Sequence, residues 1–420
     1  MSSFNNLERK VARVLGRFPV LKRMIKSVYG RVIFLSSKKN FKYWALKEPV
    51  LVDFAQGESF FGYYDKSPEN RSGLVLSQSA QNASYKIPQS KSVLDITVFD
   101  RDKKVILEMN TRAYNWQQGC RAHWLTDDLV IYNDFDEARC IYTSNVYSIC
   151  SKELVKVFDY PVQDTFSTEY FISLNYRRLM ALRPDYGYRN LPALSRDELV
   201  DLKDDGLWRV EYESGEARLL ISLAEVCAVN PAPEFEHATH KFNHVMISPD
   251  GLRFIVMHRY VIGQRRSDRL LLGDSGTGEM RLLSEYGMVS HFFWLDSNTV
   301  LGYMRGPHGK DGYWLVDVES GEFQQCLHDK LGRYGDGHPH VHGDWFVTDT
   351  YPDKARMQHL LLCNWKTGEV QELGQFFHGF EFSGETRCDL HPRFSPDGKS
   401  IYFDSVFSGK RQLYCMDLSQ

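Results

Sequence analysis

Four histidines recur at one position of a repeating pattern: His244, His291, His338 and His391. Each stands three residues before an apolar residue that leads into a turn, as in His244-Val-Met-Ile247-Ser-Pro-Asp-Gly and His391-Pro-Arg-Phe394-Ser-Pro-Asp-Gly. The spacings are 47, 47 and 53 residues. Imidazole is the commonest metal ligand among side chains. Four imidazoles at one register meet at one place if successive repeats pack around an axis. The same rings can instead bond to neighbouring repeats and lock them together. Four at one register, with Cys388 as a thiolate donor three residues before His391, favour one divalent metal. An all-His or His-plus-Cys set suits zinc first, with manganese, iron or nickel behind it. His340 and His342 alternate with His338 and share its face by the period of a strand, so either can replace one of the four.

A second group has acid–base character. His123 ends the stretch Asn115-Trp-Gln-Gln-Gly-Cys-Arg-Ala-His123 and precedes Trp124. Arg183, Tyr186 and Tyr188 share one loop, Arg183-Pro-Asp-Tyr186-Gly-Tyr188-Arg189, and Arg259 and Arg305 come from later repeats. Elimination from a uronic acid needs these types. An arginine or a metal neutralises the carboxylate so that the adjacent C–H proton can leave. A histidine or tyrosine takes that proton, and an acid protonates the departing glycosidic oxygen. The loop is equally readable as a plain surface turn.

These residues need a frame. A period near 47 residues, with short strands between turn signals, marks a β-propeller whose repeats are four-stranded blades around a central channel. Earlier blades are placed by Tyr63-Tyr-Asp-Lys66, Arg121-Ala-His-Trp124 and Gln163-Asp-Thr-Phe166, which makes seven. Ser214-Gly215-Glu216, Thr277-Gly278-Glu279, Ser320-Gly321-Glu322 and Thr367-Gly368-Glu369 read as the hairpins between outer strands, with glycine supplying positive φ. The last blade lacks this marker because the chain ends after its third strand. The expected donor of its outer strand is Pro49-Val-Leu-Val-Asp-Phe54, pairing with 410–418 and closing the ring. The longest insert, 176–208, falls within blade three and carries the Arg183–Tyr188 loop. Residues 5–34 read as a helix that Pro19 breaks or kinks. The expected organisation is a basic helical arm over 1–48 and an all-β, seven-bladed propeller over 49–420.

Charge supports that division. The arm holds twelve lysines and arginines against Glu8 and Glu48, so residues 1–48 carry +10 and the remainder −13, giving −3 overall. An acidic body argues against nucleic acid as a partner. The basic arm points to a partner of its own, an anionic inner-membrane surface or an acidic protein of an assembly complex. No apolar run approaches the ~18 residues of a spanning helix. The N-terminus has no apolar core of a signal peptide, and the eight cysteines have no framework spacing. Reduced thiols and a cytoplasmic location, peripheral at the inner membrane, are the expectation. Nucleotide-binding and serine-hydrolase signatures are absent from the sequence.

The blade motifs resemble those of the oligogalacturonate lyase and ulvan lyase type of seven-bladed propeller. The matching stretches run from about residue 60 to 415: Gln117-Gln118-Gly119 with Trp124; Leu182-Arg183-Pro184 with Tyr186-Gly187-Tyr188; Asn243-His244 with His258-Arg259; Val289-Ser290-His291; Asp336-Gly337-His338-Pro339 with Thr348-Asp349-Thr350-Tyr351-Pro352-Asp353; and Cys388-Asp389-Leu390-His391-Pro392-Arg393. The resemblance implies a bound zinc or manganese, with His291, His338 and His391 as ligands and His244 or Cys388 completing the set. It implies His123 and a tyrosine of the 183–188 loop as acid and base in β-elimination on an acidic oligo- or polysaccharide containing uronate. The basic arm is similar to that of propellers encoded with bacterial surface-polysaccharide (capsule or O-antigen) biosynthesis. That similarity implies the alternative of a non-catalytic scaffold.

Overall fold

The computed structural model describes residues 19–53 and 57–419. Seven antiparallel sheets follow one another along the chain. Blade one spans strands from Glu58–Phe60 to Val105–Thr111, and blade two those from His123–Trp124 to Glu153–Phe158. Blade three runs from Val162–Phe166 to Ala217–Ser222, blade four from Thr239–Ile247 to Met280–Ser284, and blade five from Val289–Trp294 to Phe323–Gln325. Blade six runs from His340–His342 to Val370–Phe377, and blade seven contains Arg393–Phe394, Ser400–Ser405 and Gln412–Asp417. The all-β, seven-bladed architecture expected from the repeat is the one observed. Apolar residues run consecutively along the middle strands, as in Phe254–Met257 and Ile401–Phe403, so both sheet faces bury against neighbouring blades.

The glycine of each outer hairpin has φ between 73° and 80°, at Gly215, Gly278, Gly321 and Gly368. Closure occurs where expected. Val50 pairs with Cys415, Leu51 with Tyr414, and Val52 N–H reaches Leu413 O at 3.0 Å. Phe54 lies outside the described residues.

One strand was not anticipated. Tyr43–Ala45 pairs with Phe376–Gly374 and makes blade six five-stranded. Tyr43 turns inward onto Phe407, with ring centroids 4.6 Å apart. The expected boundary after residue 48 therefore falls between two strands that are both bonded to the propeller. Helix α1, Pro19–Ser37, precedes them. The part of the expected 5–34 helix before residue 19 lies outside the described residues. Phe34 seats α1 against Phe377 and Phe380, with centroids 5.9 and 5.4 Å away.

The insert of blade three folds back as helix α2, Tyr176–Leu182, whose N-terminus is capped by Asn175 accepting from Arg177 and Arg178 N–H at 3.0 and 3.2 Å. Arg178 is buried against Asp205, which pins the insert to the third strand. The chain leaving α2 is the Arg183–Tyr188 loop.

Candidate functional site

The four histidines of the repeat come together at the inner strands. Their rings surround Tyr64, with centroids 5.6 Å away for His244, 5.8 Å for His291, 5.4 Å for His338 and 6.2 Å for His391. Tyr64 comes from blade one. The turn that delivers it depends on Gly62, at φ +108°, where a Cβ would strike the Gln118 backbone. Asp404 of blade seven holds that turn by accepting Phe61 and Gly62 N–H at 2.9 and 3.0 Å.

Three of the rings are oriented through one nitrogen. His338 Nδ1–H donates to Asp349 at 2.7 Å, His391 Nδ1–H donates to Gly62 O at 2.7 Å, and His291 Nδ1 faces Asp336 at 3.2 Å. Ring nitrogens of metal-ligating histidines are held in this way, by a carboxylate or a backbone carbonyl behind the ring. His338 lies between the other two, tilted against His291 with centroids 3.9 Å apart and edge-on to His391 at 4.3 Å. One nitrogen each from His338 and His391 and a carboxylate oxygen of Asp389 lie within 4.8 Å of one another. The Nε2 of His391 is buried and has no hydrogen-bond partner among the described residues. His391 also sits at φ +43°, a left-handed conformation costing about 1–3 kcal/mol in a residue with a Cβ. Its N–H bond to Asp349 Oδ2, at 3.1 Å, helps hold it there.

The electrostatics follow from this packing. Burial, then the neighbouring His338, pushes His291 down to about 4, and His391 goes well below its ordinary range for the same reasons. Burial also opposes a charged His338, but Asp349 outweighs it and the net shift is upward. Asp389 is held well below the usual carboxylate range: burial opposes this, and Arg387 with His338 prevails. Arg387 grips Asp389 through Nε and Nη2 at 2.6–2.9 Å and lies over the Tyr351 ring at 4.8 Å.

Of the remaining expected residues, some join this centre and some do not. Tyr186 does: its hydroxyl lies 3.3 Å from that of Tyr63, whose ring is 5.2 Å from His391 and 5.0 Å from His244. Arg183 stacks over Tyr186 at 4.5 Å and pairs with Asp185 at 3.0 Å. His244 is turned toward Asp65, with Nε2 3.7 Å from its carboxylate, and stacks on Phe292 at 4.8 Å. His123 occupies the next layer. It lines a small cavity with Tyr63, Asp65 and Arg121, and both ring nitrogens are engaged, Nδ1 with Arg121 O at 2.6 Å and Nε2 with Thr165 Oγ1 at 2.9 Å. Arg259 is buried and paired with Asp268 at 2.5 Å, beside the buried Lys241 that bonds Asn243.

Tyr188 lies apart, stacked on Tyr176 at 4.4 Å and bonded to Asn133 at 2.9 Å, within the core between blades two and three. The Cys388 thiol packs with Phe382 and Val406, and burial pushes it up to about 12. His340 packs between Phe293 and Phe394, at 4.6 and 6.0 Å, in a strand that begins at residue 340, so the period-two alternation does not extend back to His338. Sequence reasoning gave no role to Tyr63, Tyr64, Asp336, Asp349, Asp389 or Arg387. Asp336, Asp349 and Asp389 do stand inside the motifs that carried the resemblance.

A second cluster, Cys227, His240 and His258, also brings three ligand atoms within 4.8 Å. Arg269 donates to His258 Nδ1 at 3.0–3.2 Å, which leaves the proton on Nε2. That Nε2–H donates to His240 Nδ1 at 3.0 Å, and His240 Nε2–H to Phe235 O at 2.9 Å. The chain of bonds is complete without an ion.

No protein-family model matches the sequence, and no curated protein matches it. Solved structures do. The chain is similar to an oligogalacturonate lyase in complex with manganese, with a TM-score of 0.60 and 16% identity over 91% of this chain and 97% of that one. It is similar to an oligogalacturonate lyase from Vibrio parahaemolyticus, with a TM-score of 0.57 and 13% identity over 91% and 98%. A prolyl endopeptidase reaches a TM-score of 0.51 at 10% identity, over 88% of this chain and 48% of its own. At these identities the likeness is one of fold. It bears out the propeller type to which the blade motifs point.

Proposed function

We propose that this chain is a metal-dependent, carbohydrate-active propeller: a lyase-like enzyme that acts by β-elimination on a uronate-containing oligo- or polysaccharide. One observation carries the reading. Three buried histidines are each fixed through Nδ1, two of them meet Asp389 within 4.8 Å, and His391 Nε2 has no partner among the described residues. That donor set fits a divalent transition metal. His338, His391 and Asp389 would hold it, with His291 adjoining. Imidazole with carboxylate suits zinc or manganese, and manganese is the ion of the similar lyase. When bound, the ion would supply Lewis-acid neutralisation of a substrate carboxylate.

The chain's own residues do the rest. Arg183 and Arg387, stacked on Tyr186 and Tyr351, present guanidinium groups at one end of the channel and orient an acidic sugar. His123, kept neutral by burial, takes the C–H proton on Nε2 once Thr165 releases it, and the Tyr186–Tyr63 pair gives a proton to the departing glycosidic oxygen. Burial keeps the Tyr63 phenol well above its usual range, so it remains protonated and able to donate. Through Nδ1 the His123 ring holds the Arg121 carbonyl, and with it the Arg121–Asp65 pair. Arg259 and Tyr188 support the cationic wall and the loop. Residues up to 48 act as an arm whose last strand, Tyr43–Ala45, edges blade six, the propeller proper runs from 49, and the site of action is cytoplasmic, peripheral at the inner membrane.

The test is direct. Purified protein is mixed with uronate polymers, and absorbance of the unsaturated product is followed in the far ultraviolet. Growth of the short-wavelength ultraviolet band of its conjugated carboxylate, abolished in His338→Ala, supports the enzyme. Its absence across several uronates with metal bound favours the second reading, a non-catalytic scaffold in surface-polysaccharide assembly. That reading draws on Tyr64, whose hydroxyl bonds Phe292 O and N at 3.0 and 3.1 Å and whose ring fills the space among the histidines.

A further inference from the structure

We infer that the outer edge of blades six and seven, with helix α1, is a docking surface for an anionic lipid bilayer. An anionic membrane surface is one of the two partners expected for the basic arm, and specific residues form the face that would meet it. Phe34 turns one side of α1 onto blade six. The side left outward carries Val28, Val32 and Leu35, exposed by 62%, 60% and 67%. These positions are four and three residues apart, so they form one stripe. Tyr29 stands beside it, also exposed. The strand that follows continues the pattern with period two: Tyr43 and Ala45 are turned in, whereas Trp44 and Leu46 face out, as do Phe41 and Val50. Scattered exposed apolar residues need no account, but a set this concentrated in one short stretch does.

Charge selects the occupant. Residues 19–50 carry eight lysines and arginines against Glu48 alone, while the whole chain is at −3. Lys38, Lys39 and Lys42 lie between the helix stripe and Trp44, and all are exposed. Apolar stripe, interfacial tryptophan and tyrosine, and flanking lysines are the combination that lies on an anionic membrane surface. An acidic protein would complement the charge but would leave the outward apolar residues without a reason. No described helix is long and apolar enough to cross a membrane, so the association is with the surface. The face is built from outer strands, away from the histidines on the inner strands, and stands or falls independently of the lyase reading.

The experiment is flotation of the full chain with vesicles of phosphatidylcholine, alone or mixed with phosphatidylglycerol, at low and high salt. The expected result is binding to the mixed vesicles only, weakened by salt. Each lysine near an anionic surface contributes roughly fivefold, so Lys38→Gln, Lys39→Gln and Lys42→Gln together should weaken binding about a hundredfold. Val32→Glu with Leu35→Glu should abolish it while metal content and thermal stability stay unchanged. Trp44 fluorescence should shift to the blue on binding, read against Trp44→Phe. Failure to float with anionic vesicles overturns the inference. So does self-association that the Val32/Leu35 variant abolishes in the absence of lipid, which would assign the face to a second copy of the chain.

Discussion

The carboxylate of Asp349 accepts the Nδ1–H of His338 at 2.7 Å, and its second oxygen accepts the backbone N–H of His391 at 3.1 Å. A single aspartate of blade six thus orients one histidine and fixes the backbone of another in blade seven. Gly337 allows the approach, since a Cβ there would meet the Asp349 carbonyl. Asp349→Ala should leave the blades folded but weaken metal affinity about 10–100-fold, the usual cost of losing the group behind a ligating ring. Competition titration against a chromophoric chelator measures it. Unchanged affinity would show that Asp349 serves packing alone.

Arg121 and Asp65 are both buried and bond through two nitrogens at 2.7 and 2.9 Å. Arg121 accepts φ +58° to make the pair. Asp65→Ala leaves a buried guanidinium without its counter-charge and should cost about 3–5 kcal/mol. Denaturant unfolding measures the loss. The double variant Asp65→Leu with Arg121→Met should recover part of it, because replacing both charges removes the uncompensated one.

How far the sequence reaches is visible in these residues. Blade number, outer hairpins, ring closure and the gathering of four histidines all follow from periodic features: a repeat, a turn glycine, a missing marker. Asp336, Asp349 and Asp389 escape because a carboxylate behind a histidine has no fixed spacing from it. Two of them come from the residue groups just before or after the ring, and one from the next strand. Tyr64 escapes because it stands in the turn after Glu58–Phe60, outside any strand, so no alternation marks where its ring goes. Tyr188 and Tyr186 share a loop, yet two residues of chain turn one into the core and the other toward the channel. The Tyr43–Ala45 strand is three residues long, too short for alternation to register.

Stability should fall in mild acid. Burial, reinforced by Arg356, keeps His378 at about 3, and burial with Arg393 does the same for His340. In the unfolded chain each titrates at about 6.5. Between about 6.5 and about 3 the unfolded state binds more protons. Stability is therefore complete above that window and declines as pH drops through it. Asp65, held well below the usual carboxylate range by Arg121 and His244 despite its burial, adds a further loss at the acid end. Melting temperatures of the chelator-treated protein, taken from about pH 8 to about pH 5, should decrease steadily below about 6.5. A flat or rising curve would contradict the burial of neutral rings.

Ring closure makes a truncation prediction. A chain beginning at residue 42 retains both Tyr43–Ala45 and Val50–Leu51 and should stay monodisperse. A chain beginning at residue 57 loses both and exposes the Gln412–Asp417 edge, which invites pairing between molecules. Light scattering during refolding separates the two outcomes.

The central claim is a metal held by His338, His391 and Asp389 among the inner strands. Elemental analysis of protein purified without chelator tests it most directly, alongside His338→Ala and His391→Ala. The account predicts about one divalent transition metal per wild-type chain, its loss in both variants, and a lower melting temperature on removal, because binding adds to folding free energy. Metal-free wild-type protein that takes up no added zinc or manganese, or variants that hold as much metal as wild type, would contradict it.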